Sequence, residues 1–153
     1  MRFLCDEMLL RLARLLRAAG YDTYLASGGQ ADAALLKIAR EEGRVLVTRD
    51  KRLAAAAGPD SVLIAGFGVA GEARSLAAQL AIRWDAAPFT RCVIDNTPLR
   101  EATAAQIGRM PASAQAGPGP FRACPACGRL YWPGSHVRRM ADRLAAMEAA
   151  RGA

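Results

Sequence analysis

The sequence predicts an α/β domain, a parallel sheet with helices on both faces, followed by a small cysteine-bearing module and a terminal helix. Three observations carry this. Short apolar runs alternate with stretches whose apolar residues recur at helical spacing, in the order β-α-β-α-β-α-β-α up to Trp84, the pattern of parallel strands joined by helical crossovers. Two of the runs, Arg2–Cys5 (RFLC) and the apolar part of Arg44–Asp50 (RVLVTRD), stop at carboxylates, Asp6-Glu7 and Asp50. The composition then changes at Asp85, and Cys92, Cys124 and Cys127 all lie beyond it. The predicted division is residues 1–85 and 86–153.

In order along the chain, Met8–Gly20 carries Leu9, Leu12, Ala13 and Leu16 at helical spacing and ends on a glycine, a helix stop. Arg11, Arg14 and Arg17 stand three apart on it and drift slowly around one side. Each singly reads as a solvated face residue. Together they form a candidate phosphate-facing ridge, with Arg11 the foremost because it is near the helix start and Asp6. Asp22–Ala26 is a second strand, Ser27–Gln30 a loop, and Asp32–Glu42 a helix whose opening aspartate suits the orphan N–H groups and the helix dipole. After Arg44–Asp50 come a short helix over Lys51–Ala57, a strand over Ser61–Ala65 and a helix over Glu72–Trp84. Beyond Asp85, Arg91–Leu99 precedes Gly108–Pro120, the clearest linker. Phe121–Trp132 (FRACPACGRLYW) follows, then a final helix over His136–Ala150 with Ser135 as its cap.

Of 153 residues, 52% are hydrophobic, which supports a packed core and excludes wholesale disorder. The 21 basic residues against 14 acidic give a net charge of +7, and all but Lys37 and Lys51 are arginine. Arginine pairs phosphate bidentately, and a basic surface attracts a polyanion. No stretch approaches the length of a membrane span, and the chain opens directly on a strand pattern, without a signal peptide. Cys5, Cys92, Cys124 and Cys127 are spaced for metal binding in a reducing, cytoplasmic setting, not for a disulfide framework.

Asp6, Asp32 and Asp50 come from three βα units but one edge of the sheet, where open α/β sheets place their ligands. Converging carboxylates need cations to neutralise them. Mg²⁺ and Mn²⁺ fit, since they take oxygen ligands and keep waters and substrate phosphates in their shells. Such a site suits phosphodiester hydrolysis. Glu7 either joins it, directly or through water, or serves as a first-turn helix acid. The Thr48 hydroxyl can hold a carboxylate or a water, and Arg49 a phosphate.

The segments FLCDEMLLRLARLLRAAGYDT, ADAALLKIAREEGRVLVTRDKRL, RC..DN..L and CPACGRLYWPGSH, in this order, resemble the Mut7-C family over nearly the whole chain. That family is a PIN-like ribonuclease domain followed by a zinc ribbon. The resemblance implies a PIN-like fold, RNA as substrate, and a Mg²⁺/Mn²⁺-dependent ribonuclease whose catalytic, metal-holding acids fall on Asp6, Asp32 and Asp50. Arg11, Arg14 and Arg49 are the candidate nucleic-acid contacts. The chain departs from the usual first-helix pattern, MLGRLARWLR, by carrying Leu10 and Leu15 in place of Gly and Trp, a change in packing or groove shape that leaves the acids in place.

Cys124-Pro-Ala-Cys127-Gly is a strong knuckle, two thiolates able to hold one side of a tetrahedral zinc site. A second pair should face it. The family supplies RCxxCN, and here that segment is Arg91-Cys92-Val93-Ile94-Asp95-Asn96, so Asp95 stands where the fourth cysteine would be. Three readings stay open: zinc on Cys92, Asp95, Cys124 and Cys127; zinc with His136 or water completing the shell; or a ribbon without metal. His136, the only histidine, otherwise reads as a first-turn helix residue. Tyr131 and Trp132 read as ribbon packing or as bases' stacking partners, and Cys5 as an inert buried thiol.

A non-catalytic RNA- or ribosome-associated module is the competing function. A phospho-receiver domain is excluded, because Ala65-Gly66 offers no hydroxyl after the fourth strand and no lysine follows Lys51. The sequence leaves room for a homodimer and for an inhibitor protein as partners.

Overall fold

Alternating side chains on the central strands supply both faces of the sheet with apolar surface, and the helices close over them. The computed structural model describes residues 1–151. Strands β1 (Arg2–Cys5), β2 (Asp22–Leu25), β3 (Val45–Thr48) and β4 (Ser61–Leu63) pair in parallel in the order β2-β1-β3-β4. Between and after them run α1 (Leu10–Ala18), α2 (Asp32–Glu42), α3 (Lys51–Ala57) and α4 (Gly68–Ala77). Phe3, Cys5 and Val47 point to one face and share a core with Leu12 and Leu16 of α1 and Ala73 and Leu76 of α4. Leu4 and Leu46 point to the other, against Leu35 and Ala39 of α2 and Leu53 of α3. This period of two is what a strand buried on both faces requires. The predicted mixed α/β architecture is the one observed.

Leu15, which replaces the tryptophan of the usual pattern, is buried in the α1 core, whereas Leu10 is partly exposed. The predicted helix over Glu72–Trp84 is displaced: α4 starts at Gly68 and ends at Ala77. Local bonds continue as far as Leu80, whose N–H donates to the Leu76 carbonyl (3.0 Å), and tertiary bonds take over at Arg83 and Trp84. The backbone N–H of Arg83 donates to Tyr21 Oη (2.8 Å) and that of Trp84 to Glu148 Oε2 (2.8 Å).

The C-terminal part forms a small antiparallel sheet of β5 (Arg100–Glu101), β6 (Arg122–Ala123) and β7 (Leu130–Tyr131). The expected linker contains a helical turn, α6 (Ala112–Gln115), and is preceded by α5 (Ala104–Ile107), whose Thr103 and Gln106 form a reciprocal capping box. The terminal helix α7 (Ser135–Arg151) returns to the first core, where Leu144 is buried beside Trp84 and Leu76.

Arg17 departs from the exposed ridge. It is 5% exposed, and its guanidinium donates to the carbonyls of Thr23 (2.9 Å), Val93 (3.2 Å) and Ile94 (2.6 Å). Steps of three residues advance about 300° each, so Arg17 lies about 120° around the helix from Arg11, on the side facing the C-terminal segment. Arg11 and Arg14 stay exposed. Asn96 completes the junction. Its Oδ1 accepts from the Thr23 N–H (2.9 Å) and its Nδ2 donates to Asp22 Oδ1 (2.8 Å), so an amide side chain pairs with edge strand β2.

Asp22 also accepts from Arg44 Nη1 (2.8 Å), a buried guanidinium that reaches the Phe3 carbonyl as well. Burial works against the Asp22 charge, but hydrogen bonds from Arg44 and Asn96 hold its carboxyl below the usual carboxylate range. A depressed carboxylate stabilises the fold at pH values above its unfolded pKa, and that contribution is lost as pH falls through the folded one. Asp22→Asn should therefore cost on the order of 1–3 kcal/mol at neutral pH. The gap between variant and wild type, read from urea unfolding, should shrink as the pH is lowered below the ordinary carboxylate range. A gap independent of pH would contradict the assignment.

Candidate active site and metal centre

The strand order reverses between β1 and β3: the chain leaves β1 for β2 on one side and reaches β3 and β4 on the other. Crevices outside the C-terminal strand ends at such a switch point are where doubly wound sheets bind ligands. Here Asp6 follows β1 and Asp50 follows β3. The Asp6 N–H donates to the Val47 carbonyl (3.0 Å), which fixes the start of its loop against the neighbouring strand. The buried Thr48 hydroxyl donates to Asp6 Oδ2 (3.0 Å) and accepts from the Asp50 N–H (3.0 Å). One hydroxyl thus couples the two acids.

Asp6, Glu7, Asp32, Arg49 and Asp50 line a single cavity of about 610 Å³, completed by Met8, Ser27, Gln30 and Phe67 among others. Asp50 caps α3: its Oδ1 accepts from the N–H groups of Arg52 (2.7 Å) and Leu53 (3.1 Å). Asp32 lies in the first turn of α2, where the capping position is Ala31 and no side chain caps the helix. The capping role that the sequence offered Asp32 is thus not taken up in α2, and it is Asp50 that caps a helix, α3. Gly28 leaves room for Glu7, since a Cβ there would meet Glu7 Oε2 at 3.1 Å. Arg49 is engaged within the protein: its Nη2 donates to the Gly66 carbonyl and its Nη1 lies 3.5 Å from Glu72 Oε1.

Among the described residues, the group of side chains close enough to share one metal ion is elsewhere. One ligand atom from each of Cys92, Asp95, Cys124 and Cys127 lies within 4.8 Å of all the others. Two like turns create it. In the first, the Asn96 N–H donates to the Cys92 carbonyl (3.0 Å) and the Cys92 N–H to the Thr97 carbonyl (2.8 Å). In the second, the Gly128 N–H donates to the Cys124 carbonyl (2.9 Å) and the Cys124 N–H to the Arg129 carbonyl (2.9 Å). Asn96 (φ 70) and Gly128 (φ 73) occupy equivalent left-handed positions, which asparagine and glycine tolerate best.

The sulfurs of Cys92 and Cys127 are 3.7 Å apart. That matches the edge of about 3.8 Å expected of a zinc tetrahedron with Zn–S near 2.3 Å. Asp95 Oδ2 is 3.3 Å from Cys124 Sγ, in the place of a fourth ligand. Tyr131 Oη donates to Cys92 Sγ (3.3 Å), the kind of outer contact that orients a ligand. Three thiols and a carboxylate at these separations can hold zinc. His136 is not in the cluster; its Nδ1 lies 3.3 Å from Arg139 Nη2.

A family model described as the Mut7-C RNAse domain matches residues 1–144. The chain belongs to the Mut7-C RNAse domain family. No curated protein and no solved structure matches it. The match spans the parallel sheet, both cysteine turns and α7 through Leu144, so the C-terminal module lies within the Mut7-C RNAse domain.

Several lining residues escaped the sequence reading. Ser27 and Gln30 sit in the loop after β2, joined by the Ser27 N–H to Gln30 Oε1 (2.8 Å). Met8 and Phe67 are exposed apolar side chains on the wall. The one local signal for Phe67 is an aromatic between two glycines just past a strand. Cys5 is fully buried, and burial pushes its thiol up to about 12, which makes it inert at neutral pH.

Freshly purified protein should carry about one equivalent of zinc, as a site of three thiolates and a carboxylate allows. Cys124→Ser should lose it, and Asp95→Cys should retain it longer against a chelator, because thiolate is the softer ligand. Metal analysis reads both, and equal retention by Asp95→Cys and wild type would remove Asp95 from the ligand set.

Proposed function

We propose that this chain is a divalent-metal-dependent ribonuclease that hydrolyses RNA phosphodiester bonds at Asp6, Asp32 and Asp50. The observation that supports the reading is the placement of these acids around one cavity at the sheet's switch point, in a chain of a ribonuclease family. The donor set there is all oxygen, which suits Mg²⁺ or Mn²⁺ and not a thiophilic metal. Among the described residues, no three of its acids close to the separation seen in the cysteine cluster. Mg²⁺ is commonly held by one or two carboxylates together with waters and substrate phosphates, so the open spacing suits an ion that shares its shell with RNA. Bound there, the metal supplies neutralisation of the phosphate charge and an activated water.

The chain's own residues prepare that chemistry. Thr48 orients Asp6 and fixes the backbone of Asp50. Both capping bonds of Asp50 end on Oδ1, which leaves Oδ2 for a ligand. Arg11 and Arg14, exposed on α1, serve as phosphate contacts, while Arg49 serves as a positioning residue for the wall of the cavity. The zinc module is structural, holding the knuckle that covers β2.

Asp50→Asn is the diagnostic variant, because asparagine keeps the helix cap and removes only the charge. Wild type should cleave single-stranded RNA with added Mn²⁺ and stop in EDTA. The variant should lose about 100-fold or more in rate, the usual scale for deleting one electrostatic group of an active site, with its Tm little changed. Metal-independent cleavage by both proteins would overturn the metal and Asp50 assignment, and no cleavage by either would leave the chain an RNA-binding module. Affinity should also fall steeply with salt. Changing Arg11 and Arg14 to alanine together should flatten the log–log salt slope by about 1.4 for a single strand if each touches one phosphate. An unchanged slope would place the RNA on another face.

A further inference from the structure

We infer that Phe67 is a nucleobase-stacking residue at the mouth of the acidic cavity, held out for this purpose by Arg49 and Glu72 through the Gly66 carbonyl. The inference rests on the ribonuclease reading of that cavity and adds how the site takes hold of an unpaired base. Phe67 is 94% exposed, the most exposed of the large apolar side chains, and it lines the same cavity as Asp6, Asp32 and Asp50. Met8, 69% exposed, is on the same lining. A lone exposed apolar residue needs no explanation; a phenyl ring on the wall of a polar, acid-lined cleft, on a built loop, does.

That loop is fixed from several directions. The Ala65 N–H donates to Ser75 Oγ (2.9 Å), and the Gly66 carbonyl accepts from Arg49 Nη2. Arg49 is itself paired with Glu72, whose side chain is only 9% exposed. Gly66 has φ 98 and lies so close to α4 that a Cβ would meet the Gly71 backbone at 3.2 Å. Gly68, on the other side of Phe67, has φ 67. The backbone is thus committed to a path that presents residue 67 outward, and the buried core on that side is complete without it.

The occupant follows from chemistry. A chain of net charge +7 gathers a polyanion. Carboxylates in the cleft repel that polyanion locally, so an uncharged contact is needed to seat it. Base–aromatic stacking is such a contact: it is indifferent to phosphate charge, tolerant of sequence, and available only to unpaired bases. The predicted substrate class is therefore single-stranded RNA, with a duplex disfavoured.

The test compares wild type, Phe67→Ala, Phe67→Leu, Phe67→Tyr and Phe67→Trp. The probes are a short single-stranded RNA, the same strand with one abasic position, and its duplex. Binding is measured in EDTA and cleavage with Mn²⁺. Phe67→Ala should weaken single-strand binding about tenfold, within the range known for loss of one stacked base. In cleavage the loss should appear in KM, with kcat within about twofold, as expected for uniform binding. Phe67→Tyr should behave as wild type and Phe67→Leu as Phe67→Ala. The abasic strand, placed in the best register, should bind wild type and Phe67→Ala alike. Phe67→Trp should add a fluorescence that the single strand quenches, read against the wild-type signal of Trp84 and Trp132.

Equal binding by wild type and Phe67→Ala, or full rescue by leucine, would overturn the inference. So would a change in solution mass caused by Phe67→Ala, which would make the ring an interface between copies of the chain. If wild type binds with this pattern but cleaves nothing, stacking stands and the ribonuclease reading fails. If wild type cleaves and Phe67→Ala is indistinguishable from it, the reverse holds.

Discussion

The guanidinium of Arg17 lies in a volume closed to solvent and meets three backbone carbonyls there, those of Thr23, Val93 and Ile94. Burial lowers its pKa from the ordinary arginine value, yet a planar cation with five donors is suited to such a position. The carbonyls belong to edge strand β2 and to the knuckle that carries Cys92 and Asp95. One side chain from the first helix therefore connects the sheet, through its least protected strand, to the metal-binding module. Removing it would leave the buried Thr23 carbonyl contact without its donor and free the part-buried Val93 and Ile94 carbonyls of the knuckle. Asn96 and Asp22 reinforce the junction, and the pairing of Asn96 with β2 covers an edge that could otherwise recruit a foreign strand.

This junction also bears on the acidic cavity. Strand β2 leads through Ala26 into the loop of Ser27 and Gln30, which form part of the cavity wall. The module that holds the cysteines thus steadies the strand from which part of the cavity is built. At the opposite wall, Arg49 ties the end of β3 to the loop after β4. Asp6 and Asp50, in the centre, are coupled through Thr48. The acids at the switch point are mounted on the sheet, while the residues around them are mounted on loops anchored from outside it. Under the proposed ribonuclease reading, that division would keep the charged groups in fixed geometry while the loops form the rim.

The cysteine cluster illustrates how turn geometry can be kept when one of four candidate metal ligands is a carboxylate in place of a thiol. Both knuckles keep the same carbonyl-to-amide bonds and a left-handed residue, Asn96 or Gly128, after the position held by Asp95 in one and Cys127 in the other. The Thr97 N–H binds Asp95 Oδ1 (2.9 Å), so the carboxylate is oriented by its own turn as a thiolate would be. Cys92 and Cys124 are buried with Tyr131 in a small cluster of their own, too small a core to order the segment without a further constraint.

By itself the sequence determined the β-α alternation, the strand-end positions of Asp6 and Asp50, and the knuckle at Cys124 and Cys127. Each of these is encoded in neighbouring residues: a period of two or of 3.6, a run that stops at an acid, a two-residue spacer between thiols. Asp95 was legible through the family resemblance, which sets it at the second cysteine position of RCxxCN. Tertiary structure alone decided which arginine of α1 turns inward, since a helix face acquires meaning only when something packs on it. It decided that Asp50 and not Asp32 caps a helix, because the extended backbone at the helix entry falls on Asp50 before α3 but on Ala31 before α2. It shortened the fourth helix, where the Arg83 and Trp84 backbone N–H groups found side-chain acceptors on Tyr21 and Glu148, more than sixty residues away in either direction. And it set Phe67 on the rim of the acidic cavity: the two flanking glycines are visible locally, but the Arg49 anchor on the Gly66 carbonyl comes from another strand end.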